Sequence, residues 1–275
     1  MEFRACILFW TIVIIAEASK WIRNIARHEE NRVFGGVQYP AGDIRKQAFT
    51  VLIRYFEDNL FTDTSDYECS GTIITEDYVL TTAFCLQGHE SGVFFVGITG
   101  LKGLRHDTTI SEIKISEDYD PLTQENNVAL GKVLNPFPLE TGEFSVPFAP
   151  EESWGPDQFW LRALVLYGHS NPQKLEVGYV TEPTFGVFYP RSRNFCTMVF
   201  KMTLRENEFC ATSVDFRRLS VCARDFGAGL MYIDRQGHYY LYAMAVFTDP
   251  YTCTEGPTAF IVISDFLDWI EDNLE

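Results

Sequence analysis

Short apolar or alternating runs recur along this chain, each stopped by Gly, Pro or Asp, and no other pattern in it limits the fold as much. They fall at residues 49–55, 71–74, 78–82, 92–98, 108–115, 127–133, 159–166, 176–180, 228–233, 239–247 and 258–263. Runs of this length separated by turn residues predict an all-β barrel or sandwich. The end of the chain changes period. Phe266, Leu267, Ile270 and Leu274 fall on one helical face and Ser264 is placed to cap the start, so a C-terminal amphipathic helix is expected. The stretch 144–155, rich in Pro and Glu, reads as a crossover between two halves, although no sequence repeat relates them.

The N-terminus carries an address. Arg4 precedes an apolar run from Cys6 to Ala16, followed by Ala16-Glu17-Ala18, the pattern of a secretory signal peptide over residues 1–18. The alternative is an uncleaved anchor, but the run is shorter than the ~20 residues a membrane span requires. Removing residues 1–18 moves the formal charge from −16 to about −15. An acidic chain repels nucleic acid and anionic membranes, and 15% aromatic residues are not the composition of a disordered acidic segment. Residues 19–32 are polar and charged without strand pattern and read as a short pro-segment or flexible lead, with one domain over 33–275. No Asn-x-Ser/Thr acceptor occurs.

Six cysteines follow the signal peptide: Cys69, Cys85, Cys196, Cys210, Cys222 and Cys253. An even number in an exported chain argues for three disulfides, with fifteen pairings open on the count alone. Zinc would require close Cys-x-x-Cys pairs or a Cys/His cluster, and neither is present, so no metal or other cofactor is expected.

Four stretches resemble the trypsin-like (chymotrypsin-fold, S1-type) serine protease family. Arg32-Val33-Phe34-Gly35-Gly36 resembles its activation junction, where cleavage after a basic residue frees an aliphatic N-terminus. Cys69-Ser70-Gly71-Thr72-Ile73-Ile74, continuing to Thr81-Thr82-Ala83-Phe84-Cys85, resembles the strands and disulfide around its catalytic His. Asn127-Val128-Ala129-Leu130 resembles its Asp-Ile-Ala-Leu. Cys222-Ala223-Arg224-Asp225-Phe226-Gly227-Ala228-Gly229-Leu230 resembles its Cys-x-Gly-Asp-Ser-Gly-Gly-Pro-Leu. The resemblance runs from Val33 to the C-terminus. It implies two six-stranded antiparallel β-barrels and the pairings Cys69–Cys85, Cys196–Cys210 and Cys222–Cys253.

The same resemblance places Phe84 where the family has its His, Asn127 where it has its Asp, and Phe226 where it has its Ser. Acyl transfer in this family requires a hydroxyl, an imidazole that takes its proton and a carboxylate that holds the imidazole. A phenyl ring accepts no proton and offers no nucleophile, so a chain without catalysis is expected. The oxyanion-hole Gly becomes Arg224, and the substrate-pairing Ser-Trp-Gly aligns with Val246-Phe247-Thr248. Ser220 stands at the base of the specificity pocket, leaving no Asp to attract Lys or Arg. The two rings at 84 and 226 are expected to plug the cleft. Asp225 matches the residue that pairs with the new N-terminus, so cleavage between Arg32 and Val33 would bring the Val33 ammonium to it. His28 falls in the lead, and His89, His106, His169 and His238 are expected in loops or turns, where a surface role is the default.

The resemblance is nearest to insect protease homologues that lack a clip domain. It implies a secreted protein-binding or regulatory cofactor in an extracellular protease cascade, or in a secretion such as seminal fluid or haemolymph. The expected partner is an extracellular protein, a protease or its substrate, and the acidic stretch 57–68 is a candidate contact surface. The alternatives are a hydrolase with a displaced nucleophile, and a small-ligand or carbohydrate binder with an open apolar pocket beside Phe247.

Overall fold

The structure, a computed structural model, describes residues 37–38, 49–56, 67–88, 93–99, 105–137, 146–149, 164–168, 184–201, 203–213, 221–222, 225–234, 238–248 and 256–274. The segments 1–32, 57–66 and 176–180 lie outside them, so the signal peptide, the lead, most of the acidic stretch and one expected strand are not placed.

Six strands close the first barrel: β2 (Thr50–Phe56), β3 (Tyr67–Ile73), β4 (Tyr78–Thr81), β5 (Val93–Thr99), β6 (Arg105–Ile115) and β7 (Ala129–Val133). Their order around the barrel is β2-β3-β4-β7-β6-β5, closed by β5 on β2 with Ile53 opposite Val96. Val51, Ile53, Ile73, Val79, Val96 and Ala129 fill its interior. A fully buried Val or Ile there contributes about 1.5–3 kcal/mol.

The second barrel uses β8 (Leu164–Gly168), β9 (Thr184–Pro190), β10 (Glu208–Ser213), β11 (Gly229–Ile233), β12 (Tyr239–Thr248) and β13 (Thr258–Val262). They run β9-β10-β13-β12-β11-β8, and β8 pairs back onto β9 to close the ring; β1 (Val37–Gln38) adds to the outside of β9. Leu164, Leu166, Phe188, Leu230 and Phe260 fill this interior. The expected pair of six-stranded antiparallel barrels is therefore present.

A third cluster lies against both barrels and the C-terminal helix, with Tyr78, Leu80, Leu130, Met244, Ile261 and Ile270 buried in it. The crossover residues 146–149 lie on the second barrel, where Ala149 N–H donates to the Leu241 carbonyl and Leu241 N–H to that of Pro147, at 2.9 and 2.8 Å.

Three details differ from the sequence expectation. Glu68, read as the end of an acidic surface stretch, lies in β3 and is buried. His106, expected in a loop or turn, lies in β6 opposite Ile98, because that strand begins three residues earlier than its apolar pattern. The C-terminal element starts as a 3-10 turn, Ile263–Phe266, before α3 (Leu267–Asp272; α1 and α2 are given below). Ser264 makes no capping bond, since it sits inside that turn rather than ahead of it. Phe266 and Ile270 are buried as the helical spacing requires, and Leu267 and Leu274 pack partly against the same cluster. Among the described residues no helix is long and apolar enough to cross a membrane.

Candidate functional site

Of the residues singled out by the motifs, Phe84, Asn127, Asp225 and Phe226 are among those described, and they lie where the two barrels meet. After β4 the chain turns into a single helical turn, α1 (Ala83–Leu86), capped by Thr82, whose Oγ1 accepts from Cys85 N–H at 3.3 Å. Cys85 is bonded to Cys69 of β3, which fixes the turn to the barrel wall. Ala83, Cys85 and Leu86 point inward and are buried, so the remaining residue of the turn, Phe84, must face out. Its side chain is 37% exposed.

Asn127 is fully buried behind it. Its Oδ1 accepts from Phe84 N–H at 2.9 Å, which forces the amide Nδ2 to the other side, where it donates to Gln124 Oε1 at 3.0 Å. Gln124 Nε2 in turn donates to the Tyr119 hydroxyl and the Pro121 carbonyl, both at 3.1 Å. Gln124 reaches this position with a left-handed backbone, φ 60°, as does Asn126, φ 51°. Both ends of the Asn127 amide are committed to holding backbone and loop. Burial raises the Tyr119 pKa, against the lowering effect of the Gln124 contact, so the phenol at the end of this relay is neutral at pH 7.

The opposite wall is the turn at Asp225, Phe226 and Gly227. Asp225 N–H donates to the Cys222 carbonyl, Cys222 N–H returns to Asp225 Oδ2 at 3.1 Å, and Ala228 N–H donates to the Asp225 carbonyl. Gly227 takes φ 87° and donates to the Ala245 carbonyl at 2.9 Å. The Phe226 carbonyl accepts from Ser70 N–H at 2.9 Å, a backbone bond from one barrel to the other. The Phe226 ring is half-buried and packs on the cores of both barrels. It meets Phe84 edge-on, with centroids 6.4 Å apart and planes at 74°.

The expected aromatic plug is thus half present. Phe226 fills the junction, whereas Phe84 caps it from the solvent side, because its place in the turn α1 points it outward. Asp225 is fully buried with its carboxylate against Gly168, where any Cβ would overlap it. Arg32, Val33, Ser220, Arg224 and Cys253 lie outside the described residues, so the activation cleavage, the pocket base, the oxyanion position and the third disulfide are not placed. The pairings Cys69–Cys85 and Cys196–Cys210 are both formed.

Val246 is buried at a bulge in β12 and Phe247 stands 36% exposed, its ring 5.5 Å from that of Phe200. Phe200 ends α2 (Arg193–Phe200), a helix the sequence reading did not include, capped by Ser192 Oγ accepting from Phe195 N–H. Thr248 closes β12. His238 lies at the surface with Nδ1 2.9 Å from Asp234 Oδ2; His28, His89 and His169 lie outside the described residues. Among the described residues no three His, Cys, Asp or Glu side chains gather to hold a metal.

The model of the Trypsin family matches residues 54–270, most of the chain and nearly all of both barrels. The chain belongs to the trypsin family. It is similar to "Trypsin Tyr p 3.0101" of Tyrophagus putrescentiae, at 23% identity over 264 residues, 91% of this chain and 83% of that protein. It is 26% identical over 222 residues to a trypsin of Phaedon cochleariae, covering 75% and 79% of the two chains. Chymotrypsin-C of Bos taurus is 23% identical over 246 residues, 82% and 83% of the two. In this member of the trypsin family, the junction of the two barrels presents two phenyl rings and a buried amide.

Proposed function

We propose that this trypsin-family chain is a secreted, catalytically inactive homologue that works by binding an extracellular protein, a protease or a protease substrate, in a cascade or in a secretion such as seminal fluid or haemolymph. The observation that carries this reading is the use of the junction as packing. Phe226 is wedged between the two cores, and Asn127 spends its acceptor on the Phe84 amide and its donor on Gln124. Groups committed in this way hold the scaffold, and neither a phenyl ring nor a carboxamide serves as a general base or a nucleophile. A rigid, disulfide-stapled scaffold still presents its loops for binding when the chemistry is gone. Immobilised mature chain is expected to retain a protease or a protease substrate specifically from the native secretion, eluting with a defined affinity. Retention of nothing specific from that secretion would contradict the binding role.

A further inference from the structure

The segment that joins β6 to β7 belongs to the first barrel, yet the second half of the chain holds it from several sides. At its start, Trp269 Nε1 of α3 donates to Glu117 Oε2 at 2.8 Å, and Lys114 Nζ donates to the Asn273 carbonyl at 3.0 Å. At its far end stands Arg205. Its Nη2 donates to the Thr123 carbonyl at 2.9 Å, its Nε lies 2.5 Å from Glu125 Oε1, and its Nη1 donates to Glu208 Oε1 at 3.0 Å. The Arg205 backbone N–H donates to the other oxygen of Glu208, also at 3.0 Å.

We propose that Arg205 is a strap across the two barrels, locking the 120–127 loop to the second barrel and thereby fixing the cleft rim at Phe84. The anchored end is firm. Glu208 opens β10 with its side chain 5% exposed, and Arg205 lies within the span closed by the Cys196–Cys210 bond, where Arg193 Nη1 also holds the Leu204 carbonyl. The strapped end continues inward. Thr123 and Glu125 flank Gln124, Gln124 Oε1 receives the Asn127 amide, and Asn127 Oδ1 receives the Phe84 N–H. Gln124 N–H and Asp120 N–H close the loop on itself through the Asp120 and Glu125 carbonyls, at 2.7 and 3.1 Å. The strap therefore offsets the cost of two left-handed residues in the loop that carries Leu122, 93% exposed. A guanidinium suits this role because its fork donates to the Thr123 carbonyl and to Glu208 Oε1 in fixed directions while its charge lies beside Glu125, an arrangement a single ammonium does not match. Burial alone would lower the Arg205 pKa, and the carboxylates of Glu125 and Glu208 outweigh it and raise it.

Amide hydrogen exchange on the full mature chain tests the strap. Glu125→Ala removes the ion pair to the first barrel and leaves Arg205 with the Thr123 carbonyl and buried Glu208; Arg205→Lys keeps the charge and loses the fork. In both variants the Phe84, Asp120 and Gln124 amides are expected to exchange roughly tenfold faster than in the parent, with β4 and β12 amides unchanged. Unchanged loop exchange in the two variants would overturn the proposal, as would an equal acceleration throughout the chain.

Discussion

Gly227→Ala is expected to destabilise the chain by about 3–5 kcal/mol, enough to leave much of it unfolded. Two costs combine at this position. The backbone sits at φ 87°, a conformation that side chains strain to adopt. A Cβ would also overlap the Ser70 carbonyl oxygen and Thr81 Oγ1. Neither can retreat, because Thr81 Oγ1 donates to that same carbonyl at 2.8 Å and Ser70 N–H is bonded to the Phe226 carbonyl. Gly88 supplies the control. It has φ 73° with nothing within 4 Å of an added Cβ, so Gly88→Ala is expected to cost only about 1–2 kcal/mol. Denaturant unfolding of the two variants measures the difference, and equal losses would mean that contact across the junction contributes nothing.

The second large effect comes from placing at three positions the residues that the resemblance implies for a catalytic site. Phe226→Ser is expected to cost about 2–4 kcal/mol, since the ring removed touches both cores and the hydroxyl gained meets an apolar wall. Asn127→Asp places an acceptor-only group against Gln124 Oε1 in a fully buried site, and about 1–3 kcal/mol is expected. Phe84→His is expected to stay within about 1 kcal/mol, because one ring replaces another at a partly exposed position. The order Phe226, then Asn127, then Phe84 follows from the contact with both cores lost at Phe226, the buried polar mismatch created at Asn127 and the exposure of Phe84. The three sites touch, so their sum does not give the triple variant. Calorimetric unfolding of the single variants checks the order.

Much of this architecture was legible in the sequence for a physical reason. The run 49–55 became β2 and 239–247 became β12 because each alternates between a barrel interior and its outside. β9 escaped notice because Gly186 interrupts its pattern and Pro190 ends it, and only pairing with β8 and β10 makes it a strand. β10 escaped because Glu208, Thr212 and Ser213 read as surface, whereas all six of its residues are buried and Arg205 neutralises the glutamate. Phe84, Asn127 and Phe226 could be brought together on paper because the stretches around them kept their spacing. What Asn127 does could not be read, since it depends on the left-handed turn at Gln124. Arg205 gave no signal either, because Glu125 lies far away along the chain and close only once the barrels have docked.

Catalysis is the claim most open to direct test. The purified mature chain, both intact and cut after Arg32, is incubated with a fluorophosphonate probe of activated serines and with peptide ester substrates. Neither form is expected to take up stoichiometric label or to release product above background. Stoichiometric labelling with turnover would contradict the account, because it would require a nucleophile and a base that the packed junction of Phe84, Asn127 and Phe226 does not supply.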